Sequence, residues 1–173
     1  MTTIVYKNGF LAGDTLISQE NNVYGYRRKI FDLEKFVVGF AGEPLLFNEF
    51  LKFLKGDEFE RDAFKEVDHF CAIVVEKDTK KITCYDKRLI AIADGDIETD
   101  FIAAGTGAQI AKGALLMGAT AKQAVECAAK IDYFTGGEIL EIKCFSDPKK
   151  KTAESFKDYI NRQVDKELQE KNL

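Results

Sequence analysis

Thr2 stands directly behind Met1 in the sequence Met1-Thr2-Thr3-Ile4-Val5-Tyr6. A residue as small as threonine at this place is expected to let the methionine be trimmed. Trimming would leave one residue carrying both a free α-amine and a γ-hydroxyl, a base and a nucleophile in a single unit. Asn8-Gly9 follows between two apolar runs, the strongest short hairpin signal a sequence offers. The second run ends in Gly13-Asp14, so a carboxylate returns towards the terminus. The plain alternative is an ordinary strand start with Met1 retained.

The other chemistry-bearing residues give less. The cysteines are Cys71, Cys84, Cys127 and Cys144, with no zinc or redox spacing, and read as buried reduced thiols. His69, the single histidine, lies two residues from Cys71, on the same face if the segment is a strand. A satisfied structural histidine is the expected reading. One histidine argues against a Ser-His-Asp triad and against a His-rich metal site, so no metal and no cofactor are expected. Asp94-Gly95-Asp96 lacks the remaining oxygen ligands of a calcium loop and reads as a turn. Gly105-Thr106-Gly107 precedes a helical stretch but lacks the lysine of a phosphate-binding loop.

A length of 173 residues, 46% hydrophobic and 31% charged, fits one soluble globular domain. The net charge of -4 gives no basic excess for nucleic acid. No run approaches the roughly 18 apolar residues of a membrane span. No basic, then apolar, leader is visible, so the cytoplasm is the expected compartment.

The elements that must position Thr2 and Asp14 follow from periodicity. Residues 3–7 and 10–14 read as a hairpin, 17–25 as loop, and 27–33 and 36–41 as strands. Phe36 to Ala41 is nearly all apolar, as a strand buried on both faces must be. Phe47, Phe50, Leu51 and Leu54 form a helical stripe after Glu43-Pro44, and Gly56 ends it. Residues 58–67 are charged and suggest a short helix; strands are expected at 70–75, 81–86, 89–93 and 101–104. Helices follow at 108–117 and 120–131, the second with Thr120 and Gln123 in capping-box spacing. A last strand spans 138–145. Residues 1–148 read as the domain, and 149–173 as a charged helical extension with Phe156, Ile160, Val164 and Leu168 about one turn apart. Two sheets face to face with helices outside, an α+β four-layer α-β-β-α sandwich, would use every apolar face, although periodicity leaves other α+β arrangements open.

Taken in order, Thr2-Thr3-Ile4, Ala12-Gly13-Asp14, Arg28-Lys29-Ile30, Val38-Gly39-Phe40-Ala41-Gly42, Ala104-Gly105-Thr106-Gly107 and Asp132-Tyr133-Phe134-Thr135-Gly136-Gly137 resemble the proteasome β-subunit family, and most of all its HslV-type threonine peptidases. The resemblance covers about residues 2–145. It implies the N-terminal-nucleophile (Ntn) hydrolase sandwich and peptide-bond hydrolysis. By the same match, Thr2 is the nucleophile, Lys29 the buried lysine, Asp14 its carboxylate partner and Gly42 the oxyanion donor. Thr106, where the family usually has serine, and Asp132 orient the terminal amine, with Thr135 beside them. The first substrate pocket would be lined by Ile17, Arg27, Phe40 and Pro44; with Arg27 as its cation, a preference for an acidic or small residue is expected. Also implied are a peptide or unfolded-protein substrate, a homo-oligomeric double ring and, as a partner, an ATP-driven unfoldase of the AAA+ type. The stripe of the extension at 152–173 could pack on its own subunit or on a neighbour, and a contact between subunits is the role expected here. A non-catalytic ring or scaffold subunit and a small-molecule amidase of the same chemistry are the alternatives.

Overall fold

Asn8 and Gly9 both take positive φ, 50° and 82°, and so turn the chain through the tight hairpin their pairing predicts. The turn joins β1 (Thr3–Lys7) to β2 (Phe10–Gly13), with Ile4 opposite Gly13. The structure is a computed structural model and describes residues 2–19, 22–94 and 100–145. The extension at 149–173 and residues 95 and 96 of the expected turn lie outside the described residues.

Five further strands form the second layer: β5 (Ile30–Asp32), β6 (Phe36–Gly42), β7 (Phe70–Glu76), β8 (Ile82–Asp86) and β9 (Ala91–Asp94), antiparallel and in that order. The first sheet is completed by β10 (Phe101–Gly105) and β11 (Leu140–Lys143), in the order β10-β1-β2-β11. Ile4, Tyr6 and Leu11 of the first sheet meet Ile30, Val37 and Ile73 of the second in a shared core. Alternation along β6 sends Val38 and Phe40 to its other face, onto Leu46, Phe47 and Phe50 of α1 (Leu46–Lys55). Val5 and Ala12 likewise face α2 (Ala108–Leu116) and α3 (Ala121–Ala129), through Ala111, Ala124 and Val125. The layers are therefore α-β-β-α. Each large core side chain, such as Phe50 or Ile73, contributes about 1.5–3 kcal/mol by leaving water.

Three expectations change. Residues 17–25 are no loop: β3 (Leu16–Gln19) pairs with β4 (Asn22–Tyr26) in a two-stranded sheet. β4 is exposed along nearly its whole length, so no apolar alternation marked it. The strand expected at 27–33 shrinks to Ile30–Asp32, because Arg27 to Lys29 form an irregular link between sheets. Leu89 takes φ 59° and donates its N–H to the Asp86 carbonyl at 2.9 Å, so a turn delays β9 to Ala91. The short helix suggested at 58–67 forms as one 3-10 turn, Arg61–Phe64, anchored by the fully buried Phe64. The Thr120–Gln123 capping box forms as its spacing predicts.

Candidate active site

Thr2 enters at the head of β1, pinned by its neighbour β10. The Thr106 N–H donates to the Thr2 carbonyl at 2.9 Å. Gly105 makes that approach feasible: at φ 100° an added Cβ would lie 1.7 Å from the Thr2 oxygen. Two clefts, of about 610 and 490 Å³, meet at Thr2.

Asp14, at the end of the hairpin, is fully buried. One carboxylate oxygen accepts the Thr3 N–H at 2.9 Å, and the other accepts those of Leu16 at 3.1 Å and Gly136 at 3.2 Å. Lys29 bridges both oxygens at 3.2 and 3.0 Å and also donates to the Leu16 carbonyl. Burial pushes the Lys29 ammonium below its ordinary pKa and outweighs the opposing attraction of Asp14. A cation is thus held with little water beside the cleft that Thr2 lines.

A second network lies behind Thr106. Its hydroxyl and that of Thr135 each donate to one oxygen of Asp132 at 2.6 Å, and the Phe134 N–H donates to the other at 3.2 Å. Partial burial raises the pKa of Asp132, but these three donors prevail and hold it below the usual carboxylate range. Thr3 completes the chain. Its hydroxyl lies 2.6 Å from that of Thr135 and accepts the Gly107 N–H at 3.0 Å. Because Thr135 spends its proton on Asp132, the Thr3 hydroxyl must donate to Thr135. The direction of every bond is fixed, from the Gly107 N–H through Thr3 and Thr135 to Asp132. Sequence reasoning missed Thr3, which strand alternation places on the opposite face from Thr2.

Gly42 lines both clefts at φ 128°, where an added Cβ would meet the His69 carbonyl at 2.3 Å. Ile17, Arg27, Phe40 and Pro44 share the larger cleft with Thr2, Lys29 and Gly42. Phe40 is buried and stacks on Phe47 at 4.4 Å between ring centroids, which fixes one wall. Thr106 lines the smaller cleft, Asp14 lies behind Lys29, and Asp132 and Thr135 lie behind Thr106.

His69, expected as a satisfied structural histidine, is exposed just before β7 and lines both clefts. All four cysteines are free, but only Cys84 and Cys144 are buried, while Cys71 and Cys127 are half-buried. Burial pushes the thiols of Cys71 up to about 11 and of Cys84 and Cys144 up to about 12. Among the described residues no group of His, Cys, Asp and Glu side chains is placed to hold a metal ion. No helix among them is long and apolar enough to cross a membrane.

Neither a family model nor a curated protein sequence matches the chain. Solved structures do. BPH from Thiobacillus denitrificans superposes with a TM-score of 0.61 at 17% identity, over 82% of this chain and 95% of its own. The same protein in complex with epoxomicin gives 0.59 at 18%, over 82% and 96%. The eukaryotic HslV from Trypanosoma brucei gives 0.58 at 19%, over 82% and 97%. At these identities the likeness is one of architecture: the chain has the proteasome-like α-β-β-α fold of HslV.

Proposed function

We propose that the protein is a threonine endopeptidase whose nucleophile is Thr2 after removal of Met1. The observation that carries this reading is the convergence on Thr2 of a buried cation, an oriented strand end and two clefts. The freed α-amine, with an ordinary pKa of about 7.7–8.0, takes the Thr2 hydroxyl proton as Oγ attacks the scissile carbonyl. The Lys29 ammonium, held in place by Asp14, stabilises the forming alkoxide and disfavours a second positive charge on the amine. The Gly42 N–H receives the oxyanion; such a donor is worth about 3 kcal/mol. Collapse breaks the C–N bond, and the amine passes its proton to the leaving group. Water then hydrolyses the threonyl ester by the same proton route. Thr106, Asp132, Thr135 and Thr3 orient the amine end and exchange no bonds with substrate.

The fold likeness to HslV supports placing this site inside a homo-oligomeric double ring; the cytoplasm is the compartment proposed for it. Unfolded polypeptide would enter that ring, delivered by a separate ATP-driven unfoldase. Intact-mass measurement with epoxomicin, an epoxyketone that condenses with a terminal amine and hydroxyl together, tests the chemistry. Loss of one methionine and a single adduct, both abolished in Thr2→Ala, is the expected result. A retained Met1 with no adduct would instead mark a non-catalytic ring or scaffold subunit. Light scattering tests the ring; a monomer that still forms the adduct would favour a small-molecule amidase.

A further inference from the structure

The larger cleft carries more charge than its aromatic and aliphatic walls suggest, and the charges do not balance. Lys29 is matched by Asp14 behind it. Among the described residues that leaves Arg27 as the one other lysine or arginine in the lining, against the carboxylates of Glu43, Glu66 and Asp68. None of the three carboxylates is in an ion pair among the described residues. Three carboxylates alone would make no site; these rim a cleft into which the proposed nucleophile opens. We propose that this cleft selects a lysine or arginine side chain immediately before the scissile bond, with Glu43, Glu66 and Asp68 as specificity-determining residues. The inference rests on the peptidase reading above.

The fold places the acids together. Gly42 pairs with Phe70 at the end of β6 and β7, so Glu43 follows it on one strand and Glu66 and Asp68 precede it on the other. They therefore share the side of the cleft on which Gly42 would hold the scissile carbonyl. Arg27 comes from the link between β4 and β5. It also lines a neighbouring depression of about 610 Å³, which Glu138 lines as well. Phe40, fixed by its stack on Phe47, and Ile17, Pro44 and Val67 offer apolar surface. A long aliphatic stem can lie along that surface while its charged end reaches the rim. Arg27 alone suggested an acidic or small preference; three carboxylates against one guanidinium reverse the sign.

Three fluorogenic peptides that differ only in ending on Arg, Leu or Glu before the fluorophore test the proposal. The expected order of kcat/KM is Arg, then Leu, then Glu. In the Glu66→Gln, Asp68→Asn double variant the Arg-to-Leu ratio should fall roughly three- to tenfold, as expected for losing two exposed charge contacts. Raising ionic strength from about 0.05 to about 0.5 M should lower the same ratio in the wild type. Preference for Glu, or an unchanged ratio in the double variant, overturns the proposal while an epoxomicin adduct keeps the nucleophile. Failure of all three peptides together with absence of the adduct overturns the peptidase reading and this inference with it.

Discussion

Replacing Lys29 by methionine keeps the side-chain length and removes the cation, which leaves the fully buried Asp14 carboxylate without its counter-ion. Breaking one side of a buried pair typically costs about 3–5 kcal/mol. Here three backbone N–H groups, from Thr3, Leu16 and Gly136, still bond the carboxylate. The expected loss is therefore at the low end, about 3 kcal/mol, which for a chain of this size lowers Tm by about 6–12 °C. The same substitution in an Asp14→Asn background strands no charge and should cost about 1 kcal/mol or less. The cycle then reports a coupling of about 2 kcal/mol by urea denaturation at pH 7. The direction of the Lys29 shift agrees: burial outweighs the attraction of Asp14, so the pair adds little net stability, and its energy appears only when one partner goes. The reasoning is refuted if the coupling is below about 0.5 kcal/mol, since the two groups would then not share one low-dielectric site.

Two further expectations follow from backbone and titration. Gly105→Ala forces a Cβ to within 1.7 Å of the Thr2 carbonyl, whereas Gly118→Ala, at a similar φ of 96°, meets nothing within 4 Å. The second should cost about 1–2 kcal/mol of backbone strain. The first should cost more in thermal melts and should also abolish the epoxomicin adduct; equal melts would show that β10 does not clamp Thr2. Asp132 has its pKa depressed in the folded state, so its contribution to stability is complete above the ordinary aspartate pKa and is lost as pH falls through the lowered folded value. The stability gap between wild type and Asp132→Asn should accordingly persist at pH 5 and close only below the usual aspartate range. A gap already closed at pH 5 would contradict the three-donor network.

What the sequence made legible, and what it hid, divide along one physical line. A feature written in adjacent residues could be read: the Asn8-Gly9 turn, the all-apolar β6, the Thr120 capping box and the α1 stripe each state their own geometry. The β3–β4 sheet could not, because a strand exposed along most of its length has no apolar face to impose a period of two. The site falls between these cases. Thr2 and Asp14 could be read locally, from the small residue behind Met1 and the hairpin that brings the carboxylate back, whereas Lys29, Thr106 and Asp132 were named through resemblance to a family, since residues so far apart carry no local pattern. Thr3 and His69 escaped for the opposite reason: each has an ordinary local reading, a strand residue and a lone histidine. Only tertiary pairing puts the Thr3 hydroxyl between Gly107 and Thr135, and His69 between two clefts. The same limit explains the reversed charge of the cleft. Arg27 was visible by its match to a pocket position, but its opposing carboxylates arrive on two other segments, Glu43 after β6 and Glu66 and Asp68 before β7. Their effect depends on the register that sets Gly42 against Phe70. Charge selectivity in such a site is a property of which strand ends the fold brings together, and is read from the register rather than from any single motif.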